Sequence, residues 1–295
     1  MTKSIISRPG CHALYCYASP EMVMIIQELL PACNTALRLP RRPGERARLT
    51  FFCASDDETR ALAQDLRARF RKLPQSKFAL RRAAIKPANW RENWKRHFPA
   101  RRVSPRLVVK PPWRTFRLRP GDHVVEIDPG VSFGTGLHPT TRACLRLLDE
   151  YTGPPAGPLS FLDIGCGSGI LAIAAARLGC RPLLALDHDP QAVSAARRNC
   201  AANKLERKII CRQADILNLH LPRKYDLIAA NLLAGLLLTA AGRIIATVAP
   251  GGRLILSGIL RRQYAAVRHG YRQLGFHEIN RMDEGEWITG GFARR

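Results

Sequence analysis

From residue 159 onward, strand and helix signals alternate along the chain, and this alternation limits the fold more than any other feature of the sequence. Strand signals fall at 159–164, 182–187, 208–212, 225–231 and 253–257. Amphipathic helical stretches open near Gly169, Pro190, Gly235 and Arg261, and a final pair of strands lies near His277 and Glu286. A βαβα succession of this length predicts a mostly parallel sheet covered on both faces. In such a sheet, ligands bind beyond the carboxyl ends of the strands, where the strand order reverses. The residues just after each strand are therefore the candidates for chemistry.

The first 85 residues carry a different pattern. Strands are expected at 12–17, 34–39, 48–53 and 77–85. Ser19 caps a helix with Pro20 in its first turn and Met22, Ile25, Ile26, Leu29 and Leu30 at helical spacing. Ser55 and Glu58 form a capping box ahead of Leu62, Leu66, Phe70 and Leu73. The order is βαββαβ, a ferredoxin-like α+β unit. Between the two regions, Trp90, Trp94 and Phe98 recur every fourth residue amid Arg91, Lys95 and Arg96, which predicts a short basic linker helix. The domains are thus read as 1–86, a linker at 87–101, and an α/β domain at 102–295.

Composition narrows the setting. At 295 residues and 46% apolar content the chain supports one ordinary core and a smaller one. No apolar run approaches the roughly 18 residues of a membrane span, and the first ten residues lack the apolar stretch of a secretory signal, so the expected location is cytoplasmic, with no membrane partner. The nine cysteines show no CxxC pair and no metal-ligand spacing, and are read as buried fillers. The formal net charge is +24, and residues 67–117 hold 17 Lys or Arg against one acid, Glu92. A belt of that density suits phosphate backbones and suggests ribosomal or other RNA as a contact; a solvated basic surface is the alternative.

The first strand of the α/β region runs into Asp163-Ile164-Gly165-Cys166-Gly167-Ser168-Gly169 and then directly into a helix. A dinucleotide fingerprint would place its third glycine at Ile170, so NAD is disfavoured. The GxGxG spacing, with an acid two residues ahead, suits S-adenosylmethionine: the glycines admit the backbone close to the cofactor, and Asp163 attracts its ammonium group. Asp187 ends the second strand, where a carboxylate accepts the two ribose hydroxyls of an adenosine. Asp189 is read as a helix cap, and Asp215 as either an adenine contact or a turn residue. Residues 128–141, DPGVSFGTGLHPTT, place Gly134 and Gly136 in a loop before a helix; Thr140 and Thr141 at its start favour the cofactor carboxylate, and His138 is read as structural. Asn231 ends the fourth strand, where its amide carbonyl would orient an acceptor amine without bringing a cation near the sulfonium. No Pro-Pro-Tyr follows, which argues against adenine or glutamine acceptors.

DPGVSFGTGLHPTT, LDIGCGSGILAIAA, DHDP at 187–190, NLLAG, LSGIL and EGEW together resemble the PrmA family, methyltransferases of the large-subunit ribosomal protein at the stalk base, and NWKRHF at 93–98 resembles that family's linker. The likeness runs from about residue 88 to the end; the first 85 residues share only the inferred element order of the family's substrate-recognition domain. The resemblance implies a seven-stranded Rossmann-like class I methyltransferase domain, with cofactor binding at Thr141, Gly165, Asp187 and Asn231. It implies methyl transfer to lysine or α-amino nitrogens of a ribosomal protein. High basic charge departs from the family pattern and would repel a basic substrate at long range. RNA methylation, or ribosome-assembly binding without turnover, are the rival functions.

Overall fold

The computed structural model describes residues 11–29, 35–38, 40, 45–53, 55–71, 78–85, 98–128, 138–154 and 157–294. The chain divides into two compact units, Met1–Phe98 and Pro99–Arg295. Most of the expected linker helix at 87–101 lies outside the described residues.

The first unit contains β1 (Cys11–Ala18), α1 (Pro20–Leu29), β2 (Thr35–Arg38), β3 (Ala47–Cys53), α2 (Asp56–Arg69) and β4 (Phe78–Ile85). Its antiparallel sheet has the order β2-β3-β1-β4, so β3 lies between the two strands joined by α1, the split βαβ arrangement expected from the sequence. Both caps form: Ser19 Oγ accepts from the Met22 amide at 3.3 Å, and Ser55 Oγ from the Glu58 amide at 3.1 Å. Leu14, Cys16, Ile26, Leu49, Phe51 and Leu66 are buried and make the small core.

The second unit opens with a three-stranded sheet that the sequence reading did not assign, β5 (Arg101–Arg102), β6 (Leu107–Lys110) and β7 (His123–Glu126). Strands this short give no alternation to read. Their anchor is Arg106, whose Nε donates to Asp149 Oδ1 at 2.6 Å while its Nη2 donates to the Asp149 carbonyl at 2.6 Å. Asp149 belongs to α3 (Pro139–Tyr151), and its other oxygen takes the Arg106 amide at 3.1 Å.

The main sheet follows: β8 (Phe161–Ile164), α4 (Ile170–Arg177), β9 (Leu183–Asp187), α5 (Pro190–Ala202), β10 (Ile209–Gln213), a 3-10 turn (Ile216–Asn218), β11 (Tyr225–Asn231), α6 (Ala234–Thr239), α7 (Ala241–Ala246), β12 (Val248–Leu260), α8 (Arg261–Gln273), β13 (Phe276–Glu284) and β14 (Trp287–Arg294). Seven strands lie in the order β10-β9-β8-β11-β12-β14-β13. The first five are parallel, and β14 and β13 run antiparallel to their neighbours. The order reverses between β8 and β11. One face is covered by α3, α4 and α5, where Leu145, Leu148, Ile173 and Val193 pack; the other by α6, α7 and α8, where Leu237, Ile244, Val267 and Tyr271 pack. No described helix is long and apolar enough to cross a membrane.

Candidate cofactor and acceptor site

The glycine turn sits at the reversal point. Beyond β8, the amides of Gly165 and Cys166 both donate to the Leu186 carbonyl, at 2.8 and 2.9 Å, which ties the turn to β9. Gly165, Gly167 and Gly169 have φ of +73°, +52° and +78°, a region that costs an ordinary L-residue roughly 1–2 kcal/mol. Space adds a second demand at two of them. A Cβ on Gly169 would lie 3.1 Å from Ala196 Cβ on α5, and one on Gly165 would lie 2.4 Å from Leu232 Cδ2. Leu232 follows Asn231, so the segment after β11 rests against the glycine turn.

Two neighbouring strands bring carboxylates to this turn. Asp187 Oδ2 accepts from the Gly167 amide at 2.8 Å, and Oδ1 from the Asp189 amide at 3.0 Å. Asp187, expected as a ribose acceptor, thus also shapes the glycine loop. Asp163 is 1% exposed; its Oδ2 accepts from the Ala172 amide at 3.1 Å, and its Oδ1 has no partner among the described residues. Burial, aided by the Asp187 charge and opposed by the Ala172 hydrogen bond, pushes the Asp163 carboxyl up to about 8. Thr141 Oγ1, in the first turn of α3, is likewise buried without a partner among the described residues. Buried polar groups of this kind are normally satisfied. An ammonium group and a carboxylate, the two charged ends of an amino acid, are the partners that chemistry would supply to Asp163 and Thr141.

The other expected residues divide cleanly. Asn231 ends β11 half-buried, and its amide has no hydrogen-bond partner among the described residues. His138 caps α3, with Nδ1 accepting from the Thr140 amide at 3.3 Å and its ring edge-on to Trp287 at 5.4 Å. Burial pushes it down to about 3, with the Arg142 charge adding to the effect, so it is neutral and structural. Asp189 caps α5 through the Gln191 amide at 2.8 Å. Asp215 is a turn residue, accepting from the Leu217 amide at 3.0 Å and Asn218 Nδ2 at 2.9 Å. Gly134 and Gly136 lie outside the described residues. Cys16, Cys144, Cys166, Cys180, Cys200 and Cys211 are buried thiols outside any disulfide, and no metal-ligand cluster occurs among the described residues.

A sequence profile for the family described as ribosomal protein L11 methyltransferase (PrmA) matches residues 32–294. The chain belongs to the PrmA family. Among its relatives, one from Geobacter sulfurreducens is 44% identical over 203 residues, covering 69% of this chain and 65% of the relative. One from Pelotomaculum thermopropionicum is 35% identical over 260 residues, covering 88% and 81%. Both are named ribosomal protein L11 methyltransferase. In the first of these alignments, this chain spans a little under two thirds of the relative's length. A solved structure titled ribosomal protein L11 methylase, from Lactobacillus delbrueckii subsp. bulgaricus, superposes with TM-score 0.61 and 31% identity, covering 67% of this chain and all of that one.

Two residues that matter to this PrmA-family site were not read from the sequence. Asn199 on α5 donates through Nδ2 to the Ser168 carbonyl at 2.9 Å and accepts from the Asp128 amide at 3.3 Å. Asn203, one turn on, exchanges bonds with the Glu126 backbone at 3.0 and 2.6 Å. Together they fasten the glycine turn and the start of the 128–141 segment to one helix. Both asparagines are buried, where amides require partners, but nothing in the sequence marks them as such.

The basic belt resolves into two populations. Arg69 pairs with Asp65, Arg82 with Asp56, Arg102 with Asp122, Arg106 with Asp149 and Lys110 with Glu126. All five acids lie outside the 67–117 window, which is why the window looked single-signed. Arg67, Arg71, Arg81, Arg101 and Arg117 are exposed and have no ion-pair partner among the described residues.

Proposed function

We propose that this chain binds S-adenosylmethionine at the β8–β11 reversal and transfers its methyl group to lysine or α-amino nitrogens of ribosomal protein L11, in the cytoplasm. The observation that carries the reading is the partnerless oxygen of buried Asp163 beside a glycine turn shaped for close backbone approach. Membership of a family described as L11 methyltransferases supports the acceptor.

In this reading Asp163 holds the cofactor ammonium, Thr141 and the start of α3 meet its carboxylate, Gly165, Gly167 and Gly169 admit its backbone-facing side, and Asp187 accepts from the ribose. When bound, S-adenosylmethionine supplies an electrophilic methyl group on a sulfonium. Asn231 orients the incoming amine through its carbonyl oxygen. A lysine has a reference pKa of about 10.4 and an α-amine of about 7.7–8.0, so the nitrogen must be neutral to attack. Desolvation beside the positive sulfonium favours that neutral form. His138, half-buried against Trp287 and neutral, is a cap and not the base.

Exposed, unpaired arginines in the belt support ribosomal RNA as a further contact during recognition. Incubating the chain with methyl-labelled S-adenosylmethionine and either intact or protein-stripped large ribosomal subunits tests the whole reading. Label in the L11 band is the expected result. Label in RNA would transfer the reading to RNA methylation, and binding without label to a non-catalytic ribosome-assembly role.

A further inference from the structure

Residues 227–277 contain six arginines and no acid. They build β12 and the α6–α7–α8 layer on one face of the main sheet. On the opposite face, the arginines of the helices are engaged: Arg142 and Arg146 pair with Glu284, Arg177 donates to the Asn203 carbonyl, Arg197 to the Cys211 carbonyl and Arg198 to Ser194 Oγ. The α6–α8 face differs. In α8, Tyr264, Val267 and Tyr271 turn into the core, while Arg262, Arg268, His269 and Arg272 are exposed. Arg261 pairs with Asp283. Arg262, Arg268 and Arg272 have no partner among the described residues.

A groove of about 400 Å³ lies on the same face, lined by His220, Thr239, Gly242 and Arg243 among others. Arg243 Nη1 lies 3.1 Å from His220 Nε2, so the guanidinium charge meets an imidazole and no carboxylate. α8 joins this layer through the Tyr271 hydroxyl, which donates to the Leu237 carbonyl of α6 at 3.1 Å.

We propose that this α6–α8 face is an RNA-binding surface that takes the phosphate backbone of a duplex, apart from the methyl-transfer site. Uncompensated guanidinium groups are suited to phosphate oxygens, which they engage through paired donors. Between residues 262 and 272, a helix advances about 15 Å, enough to meet several phosphates of one strand. The chemistry favours RNA over the two other anionic partners. The exposed side of α8 consists of Arg, Gln, Ala and His, and the large apolar side chains exposed in the α6–α8 layer are Leu233 and Leu238, too few to form the apolar face that seats an interfacial helix in a bilayer. It also offers no aromatic anchor of the kind that dominates protein interfaces. Absence of stacking aromatics on α8 disfavours a single strand, and contacts to phosphates alone predict binding without sequence preference. The inference rests on charge placement and not on the methyl-transfer reading.

The test uses the full chain and a short fluorescent RNA duplex, with binding followed by anisotropy across a salt series. The triple variant Arg262→Gln/Arg268→Gln/Arg272→Gln should flatten the slope of log affinity against log salt by about 2 to 3, since each duplex phosphate contact contributes about 0.9. Arg262→Lys/Arg268→Lys/Arg272→Lys should keep most of the slope, and both variants should bind S-adenosylmethionine and methylate a short isolated acceptor as the unchanged chain does. An unaltered slope in the Gln variant, or an equal loss in the Lys variant, overturns the proposal. So does tighter binding to poly-glutamate or to phosphatidylserine vesicles than to RNA, which would hand the face to an acidic protein or a membrane. Failure of methyl transfer with the RNA result intact would instead count against the function proposed above.

Discussion

Asp163→Asn removes a titrating group from the cradle and keeps its shape, because the new side chain still offers an acceptor to the Ala172 amide. With the Asp163 carboxyl pushed up to about 8, the unliganded protein at pH 7 carries mostly the neutral acid. The amine at the amino-acid end of the cofactor resembles an α-amine of pKa about 7.7–8.0 and is mostly protonated there. Forming the carboxylate–ammonium pair therefore releases a proton from Asp163. Binding favours the deprotonated carboxyl, so affinity rises with pH below 8, approaching tenfold or about 1.4 kcal/mol per unit between pH 6 and 7. It levels near 8 and falls above, as the free cofactor loses its own proton. A hydrogen bond to a charged group is worth about 1.5–3 kcal/mol. At pH 6, ionising Asp163 costs about 2.7 kcal/mol, two units at about 1.36 each, and nearly cancels that gain. The Asn variant should then bind about as well as the unchanged protein at pH 6, and about ten-fold worse or more at pH 8. Isothermal titration calorimetry at pH 6, 7 and 8, repeated in buffers of different ionisation enthalpy, reads both the affinities and the protons released. A flat affinity for the unchanged protein from pH 6 to 8, or an Asn variant that follows its rise, refutes the reasoning.

Asp187→Ala strips the acceptor from the Gly167 and Asp189 amides as well as from the ribose, so cofactor affinity should fall by about 1.5–3 kcal/mol in calorimetry, together with a lower melting temperature. Asn231→Ala should lower kcat well beyond any loss of cofactor affinity, because an orienting contact matters mainly in the transition state; full turnover at saturating cofactor and acceptor would reduce Asn231 to a binding residue. Gly169→Ala forces an L-residue to φ +78° and brings its Cβ to 3.1 Å from Ala196, so urea denaturation should show a loss of about 1–2 kcal/mol or more. Gly157→Ala, in open space, serves as the control, and equal midpoints for the two would contradict the turn geometry.

Much of the architecture was legible because local rules and the global fold agree. The glycine turn could be read because GxGxG between a strand and a helix constrains backbone dihedrals directly, and the caps at Ser19, Ser55 and Asp189 because their chemistry is local. What escaped depends on pairing between distant residues. β5, β6 and β7 are held by one another and by Arg106 on Asp149, and nothing within 101–126 announces a partner 43 residues away. The first half of β12 begins in Val-Ala-Pro-Gly-Gly, which reads as a turn, yet it continues a strand whose pairing with β11 shifts register between Tyr225 and Leu227. Part of the basic belt was hidden in the same way, since Asp122, Glu126 and Asp149 pair with three of its cations from outside the window. Asn199 and Asn203 were passed over because an amide on a helix carries no periodic signature; only their hydrogen bonds reveal what they fasten.

Those two asparagines also bear on when the site comes into being. They join Asp128 to Asn199 across 71 residues and Glu126 to Asn203 across 77, with the β8–α4–β9 segment threaded between. Closing loops of that length carries an entropic cost that local helices and hairpins avoid, and such contacts form after the elements they connect. The start of the 128–141 segment is therefore fastened beside the glycine turn only when α5 has docked. A nascent or partly unfolded chain presents the motif in its sequence without the cradle in space, and cofactor capture then reports completed folding.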